Sequence, residues 1–273
     1  MLTRRADSSG EKCKRANYNF GGSKAMKSFG LTDKGAVRKD NQDSFVIEEC
    51  RSRNCLVVAL CDGMGGAKAG GLASSLSNDV FVSCIFGKLT SRDKRNINYR
   101  ELLQDACSEA NGASFECSMF DEACRGMGTT IVGGVINSDG NGYIINVGDS
   151  RAYLISAGKK SIRQITRDHS LVQELIEFGA ITKEQARSHP NKNIITRALG
   201  SEATVEADYY ELSLDKNDVL ILCSDGLSNT LEDSELLECA LSSSDPETVC
   251  RELMSKALAR GAKDNVTVVA VAR

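Results

Sequence analysis

Four aspartates in this sequence stand where carboxylates could do chemistry. Asp62 and Asp225 each close an apolar run, Leu56-Val57-Val58-Ala59-Leu60-Cys61 and Val219-Leu220-Ile221-Leu222-Cys223, and each is followed at once by glycine. Asp43 and Asp264 are placed the other way round, just ahead of Ser44-Phe45-Val46-Ile47 and Val266-Thr267-Val268-Val269. An Asp-Gly pair alone is also a common turn, so no single one argues for a site. In antiparallel strands the start of one lies beside the end of its neighbour, so all four acids can gather at one edge. Carboxylates crowded together repel and stay ionised only beside cations. Oxygen ligands without a histidine cluster select hard ions, Mg²⁺ or Mn²⁺. A pair of such ions about 4 Å apart can share a water and lower its pKa, which suits the hydrolysis of phosphate esters.

The elements that must position these acids can be read from periodicity. The two apolar runs read as strands buried on both faces. Phe29-Gly30-Leu31-Thr32 reads as a first strand, and the polar loop that follows it contains Arg38. Helices are expected over about 69–89, with Leu72, Leu76, Val80 and Cys84 as the apolar face, and over about 99–120, with Leu103, Ala106, Ala110, Ala113, Cys117 and Phe120. Strands follow at 129–136, 143–147 and 152–155, the first two joined by the turn Ser138-Asp139-Gly140-Asn141-Gly142. Asp149 is left at another strand tip. Residues 166–200 form a long excursion with a short helix around Leu171–Ile176, closed by Gly179, and a capping box at Thr182-Lys183-Glu184-Gln185. Excursions of that length are often lids or binding loops. Two more helices, about 233–241 and 246–259, precede the last strand. This order predicts an α+β fold, a central sandwich of two antiparallel β-sheets flanked by pairs of α-helices in four layers, α/β/β/α.

Composition narrows the function. The chain has 273 residues, 41% hydrophobic, and only two prolines, which fits one domain over 27–273. Residues 1–26 are polar and basic without periodicity and are expected to be a flexible tail. The net charge of −3 argues against a nucleic-acid binder. No apolar run approaches the roughly 20 residues of a membrane span, and the start lacks a signal-peptide core, so a cytoplasmic protein is expected. Eleven cysteines without a Cys-x-x-Cys pair, beside two histidines, disfavour zinc and read as small buried hydrophobes in a reducing compartment. A dinucleotide-binding turn after Cys61 fails because Lys68 stands where its third glycine should be.

Taken together and in order, several motifs carry a family resemblance. They are Leu31-Thr32-Asp33-Lys34-Gly35 with Arg38 and Asn41-Gln42-Asp43; Asp62-Gly63-Met64-Gly65-Gly66; Gly128-Thr129-Thr130; and Val147-Gly148-Asp149-Ser150-Arg151. Asp168-His169-Ser170, Ile195-Thr196-Arg197-Ala198-Leu199-Gly200, Ser224-Asp225-Gly226 and Lys263-Asp264-Asn265 complete them. Over about residues 28–273 the chain resembles the metal-dependent protein serine/threonine phosphatases of the 2C type, in their bacterial form. The resemblance implies that Asp62 bridges two Mn²⁺ or Mg²⁺ ions with the Gly63 carbonyl as a further ligand. Asp43 then serves the second ion, while Asp225 and Asp264 complete the set. Arg38 holds the substrate phosphate, a task its planar donor fork suits. A hydroxide shared by the ions attacks phosphorus in line, without a phosphoenzyme. Asp149 resembles the ligand of a third ion, and residues 166–200 resemble the mobile flap beside it. Implied partners are phosphorylated proteins and a Ser/Thr protein kinase whose action is reversed, with a monomer expected. Two positions depart from the pattern. Met64 replaces a histidine that many eukaryotic members use as proton donor, leaving His169, His189 or water as candidate general acids. Asn229 replaces an acid that some members carry four residues past Asp225, which weakens the third-ion site. A phosphatase acting on small phosphate esters and a non-catalytic scaffold are the competing readings.

Overall fold

The structure, a computed structural model, describes residues 12–19, 25–66, 69–91, 96–120 and 122–273. Its strands form two antiparallel sheets. The first is ordered β1 (Lys12–Asn19), β2 (Ala25–Asp33), β12 (Val266–Ala272), β11 (Val219–Cys223), β8 (Arg151–Ser156), β9 (Ser161–Gln164). The second is ordered β10 (Asp208–Ser213), β7 (Asn141–Val147), β6 (Ile131–Asn137), β4 (Cys55–Met64), β3 (Asp43–Cys50), with the two-residue β5 (Gly128–Thr129) paired to the end of β4.

Alternation along the buried strands explains their unbroken apolar runs. Leu56, Val58 and Leu60 of β4 meet Leu220, Leu222, Val269 and Val271 of the other sheet in the core between the sheets. Val57, Ala59 and Cys61 point the opposite way, to Phe81, Ile85, Leu103 and Ala106 of α1 (Ala69–Leu89) and α2 (Tyr99–Phe120). On the outer face of the first sheet, Ile221, Cys223, Val268 and Ala270 pack under Leu236, Val249 and Leu253. Those residues belong to α6 (Asp233–Ser242) and α7 (Pro246–Ala259). The four-layer α/β/β/α sandwich expected from the sequence is therefore the fold. Each buried strand must be apolar on both faces because each face covers a different core.

Three local expectations need correction. Residues 12–19, placed in a flexible tail, form edge strand β1 in register with β2 from Lys12 opposite Thr32 to Asn19 opposite Ala25. An edge strand is held by backbone hydrogen bonds and is protected from mispairing by charge, so it needs no apolar period. The rest of that tail, residues 1–11 and 20–24, lies outside the described residues. The buried face of α1 is not the Leu72 row: Leu72 is 46% exposed, and Ala73, Ser74, Ser77, Asn78 and Phe81 face inward. Small polar residues there let the helix approach the end of β4 more closely than leucines could. In α2, Leu103, Ala106 and Ala110 are buried as expected, but Phe120 is 88% exposed. The excursion contains the short helices α3 (Leu171–Glu177) and α4 (Lys183–Arg187), the latter with the expected capping box of Thr182 and Gln185. Among the described residues no helix is long and apolar enough to cross a membrane.

Candidate functional site

The β3–β4 register sets Asp43 directly opposite Asp62, as antiparallel pairing requires. Asp62 is clamped through its backbone. Its N–H donates to Thr130 Oγ1 at 3.0 Å, and its carbonyl accepts from Thr130 N–H and Thr129 Oγ1, each at 2.9 Å. Gly63 donates to the Gln42 carbonyl at 3.3 Å, and Ser74 Oγ of α1 donates to the same carbonyl at 2.6 Å. A Cβ on Gly63 would fall 2.0 Å from the Gly70 carbonyl oxygen, so glycine is required for the helix to sit against this turn.

Asp225 follows β11 by two residues and opens the one-turn helix α5 (Asp225–Ser228). A Cβ on Gly226 would lie 2.0 Å from the Asn265 carbonyl oxygen, which brings the Asp225 turn against the start of β12. Asn265 in turn pins the Arg38 loop. Its Oδ1 accepts from Gln42 N–H at 2.8 Å, and its Nδ2 donates to the carbonyls of Lys34 and Asp40, each at 3.0 Å. Arg38 Nη2 then donates to Asp264 Oδ2 at 2.7 Å, in an ion pair open to solvent.

The acids therefore meet at one edge, with Asp62 opposite Asp43 and close enough to Asp225, Asp149 and Asp264 to feel their charge. Burial, followed by the charges of Asp43, Asp225, Asp149 and Asp264, holds Asp62 well above the usual carboxylate range. Burial pushes Asp43 up to about 7, against the hydrogen bond from Thr267 that pulls it down. Asp225 is pushed up to about 6 by burial and by Asp264. Asp149, beside the left-handed Gly148 (φ 105°), is raised well above its ordinary value by burial, then by Asp225 and Asp168, with Arg151 opposing.

A relay that the sequence reading missed orients Asp43. Asn41 Nδ2 donates to Thr32 Oγ1 at 2.8 Å, so the Thr32 hydroxyl is left to donate to Thr267 Oγ1 at 2.7 Å. Thr267 then donates to Asp43 Oδ2 at 2.6 Å. Asp43 Oδ1 is left buried without a partner, and Asp225 Oδ1 is in the same state while its Oδ2 accepts from Asn229. A buried carboxylate oxygen with no donor is costly unless a cation meets it. These oxygens fit a hard divalent ion. Among the described residues no three acidic, histidine or cysteine side chains form a ready cage for one ion.

The two histidines part company. His169 is 1% exposed, and its Nδ1 accepts from Gly148 N–H at 3.1 Å. Its Nε2 lies 3.3 Å from Asp208 Oδ2, and burial, then Arg197, lowers its pKa. Its backbone N–H donates to the Gly148 carbonyl at 2.9 Å, so it fastens the start of the excursion to the β7–β8 turn. The far end returns at Leu199, which pairs with Thr129 beside Asp62. His189 lies between the two, partly exposed, its Nδ1 accepting from Asn191 N–H. The charge of Lys192 in the same turn acts on Asp225 and lowers its pKa, opposing burial.

The family described as Protein phosphatase 2C matches residues 35–261. Serine/threonine phosphatase stp of Listeria monocytogenes is 36% identical over 242 residues, which cover 89% of this chain and 94% of that protein. The crystal structure of the serine/threonine phosphatase Stp1 from Staphylococcus aureus has a TM-score of 0.81 at 33% identity, covering 90% of this chain and 94% of that one. The catalytic domain of the serine threonine protein phosphatase PstP, in complex with two manganese ions, has a TM-score of 0.75 at 31% identity, covering 90% and 97%. Matching motifs in order along nearly the whole length, on the same sandwich, settle the kinship: the chain belongs to the protein phosphatase 2C family.

Proposed function

We propose that this protein is a metal-dependent phosphatase that removes phosphate from phosphoserine and phosphothreonine in proteins, reversing the work of a Ser/Thr kinase. The observation that carries the reading is Asp62 set between Asp43 and Asp225, with buried carboxylate oxygens that no protein donor meets. Asp62, Asp43, the Gly63 carbonyl, Asp225 and Asp264 would hold two Mn²⁺ or Mg²⁺ ions. When bound, such ions supply an activated water and a Lewis acid at the phosphoryl group. The manganese pair in the related PstP structure supports the count of two.

The chain's own residues do the rest. The Thr129–Thr130 clamp and the Thr32–Thr267 relay fix the carboxylates before substrate arrives, so little reorganisation is left for the reaction. Arg38 rests on Asp264 in a solvent-exposed pair, and its planar fork would hold the phosphate oxygens of the substrate. Asp149 is a further acid near Asp225, and Asn229 beside Asp225 is a neutral donor, so a third ion would be held more weakly than the first two. His189, partly exposed in the excursion, is the side-chain candidate better placed to protonate the leaving alkoxide, since His169 is 1% exposed and its Nδ1 is held by Gly148. No cysteine is needed.

The test is an assay in Mn²⁺ or Mg²⁺ on phosphoserine, phosphothreonine and phosphotyrosine peptides beside a small phosphate ester. Turnover of the first two, lost in excess chelator and insensitive to thiol alkylation, is the expected result. Appreciable turnover in chelator overturns the metal-dependent mechanism. A clear preference for the small ester overturns the protein substrate.

A further inference from the structure

Among the described residues two pairs of cysteines stand face to face, and neither is bridged. Cys50 and Cys55 oppose each other at the turn end of β3 and β4, and both are shut away, 2% and 0% exposed. Cys117 and Cys124 are different. Cys117 lies near the end of α2 and keeps part of its surface in solvent. Cys124 closes the 3₁₀ turn Glu122–Cys124 and is 1% exposed, with the two sulfur atoms 2.9 Å apart. A disulfide bond is about 2.04 Å long, so the sulfurs need to close by less than about 1 Å. An accessible cysteine beside a buried partner is the arrangement by which a first oxidation is resolved as a disulfide.

We propose that Cys117 and Cys124 are a peroxide-sensitive pair that forms a reversible intramolecular disulfide. The Cys117 thiolate attacks one oxygen of hydrogen peroxide. An S–O bond forms, the O–O bond breaks, and the departing hydroxide takes up the thiol proton to become water. The Cys124 thiolate then attacks the sulfenic sulfur. The S–S bond forms, the S–O bond breaks, and the second hydroxide leaves as water with the second thiol proton. Two thiols and one peroxide give one disulfide and two waters, and a dithiol reductant reverses the bond by exchange. The bond would fasten the end of α2 to the segment entering the site. The Cys124 carbonyl accepts from Met127 N–H at 2.9 Å, and the next residues, Gly128 and Thr129, pair with Met64 and Gly63.

Peptide mapping of the full chain tests this. Protein reduced with dithiothreitol and desalted is treated with hydrogen peroxide, alkylated, and cleaved without reduction, including after Phe120. The expected product joins a Cys117 peptide to a Cys124 peptide, disappears on adding dithiothreitol, and leaves Cys50 and Cys55 as thiols. The oxidised protein should also unfold at a higher temperature than the reduced one. Cys117→Ser should lose both the link and the temperature shift while its reduced form keeps parental turnover. Recovery of both residues as thiols, at a peroxide dose that oxidises a free thiol standard, overturns the proposal. So does linkage of Cys117 to another cysteine, or arrest at sulfinic acid. Each of these outcomes is read on the parent protein, so the decision does not depend on the variant folding.

Discussion

Each sheet ends an apolar strand in Asp-Gly, and each glycine lies against the backbone that leads to a partner acid. Gly63 faces the carbonyl of Gln42, the neighbour of Asp43, while Gly226 faces the carbonyl of Asn265, the neighbour of Asp264. Beyond that the two corners differ. At Asp62 the chain continues as strand, its backbone is held by Thr129 and Thr130, and the facing Asp43 is oriented by a hydroxyl relay. At Asp225 the chain turns into a short helix, and the partner Asp264 is partly exposed and paired with Arg38. One corner is fixed on all sides; the other keeps polar partners that can be exchanged. A cation site needs the first kind of support, and a place where a phosphate enters beside it needs the second.

Breaking the fixed corner should have the largest effect. Asp62→Asn is expected to lower turnover by at least about a thousandfold, about 4 kcal/mol of barrier, with the far-ultraviolet circular dichroism unchanged. Near-parental activity would remove Asp62 from the site. The same corner sets a pH dependence in chelator. Asp43 and Asp225 titrate near 7 and near 6 in the folded chain, against 3.8 for an unperturbed aspartate. Between those values the folded state binds more protons than the unfolded one, so stability falls as pH rises. The contribution is complete below about pH 4 and is lost as the pH passes through about 7. Thermal unfolding in chelator should therefore shift downward from pH 5 to pH 8, and Mn²⁺ should reverse the shift at pH 8. A melting temperature that rises over that range would contradict the crowding of these acids.

Thr267→Val comes next, because it removes one hydroxyl and keeps the shape of the side chain. It leaves Asp43 Oδ2 without its donor and Thr32 without its acceptor. Supporting groups of this kind typically change metal affinity by about 10- to 100-fold. Mn²⁺ titration followed by electron paramagnetic resonance should show a loss in that range, with Thr267→Ser close to the parent. Parental affinity in Thr267→Val would reduce the relay to packing.

Much of this arrangement could be read from the chain because it rests on short-range rules. The runs ending at Asp62 and Asp225, with Asp43 and Asp264 ahead of strands, allowed the four acids to gather at one edge, and the β3–β4 register does set Asp43 opposite Asp62. The supports of those acids were not legible. Thr267 lies 224 residues from Asp43 and looks like an ordinary strand threonine; only the stacking of the two sheets brings them together. Thr130 was absorbed into a continuous strand, whereas the structure breaks the strand there and turns its hydroxyl to Asp62. The α1 face was misread for a related reason. A leucine row gives the stronger periodic signal, but the sheet end demands the smaller Ser74 and Gly70. His169, a candidate donor by residue type, is revealed as an anchor only by its neighbours in space.

Arg38→Ala tests the exchangeable corner and should have the smallest effect. The Arg38–Asp264 pair is solvent-exposed, 53% and 32% for the two side chains, so its loss should change stability by about 0–1 kcal/mol. On the proposed role of Arg38 in holding the substrate phosphate, KM for a phosphothreonine peptide should rise about tenfold, about 1.4 kcal/mol. If Arg38 grips ground state and transition state alike, kcat should stay within about twofold. A matched fall in kcat would mean instead that the fork engages chiefly the transferring phosphoryl group, moving Arg38 from substrate capture to charge stabilisation. The Mn²⁺ affinity of the same variant separates either outcome from damage to the fixed corner. Removing a cation that competes for Asp264 should leave metal binding unchanged or slightly tighter. Weaker Mn²⁺ binding in Arg38→Ala would show that the two corners are coupled, and the contrast between them would then fail.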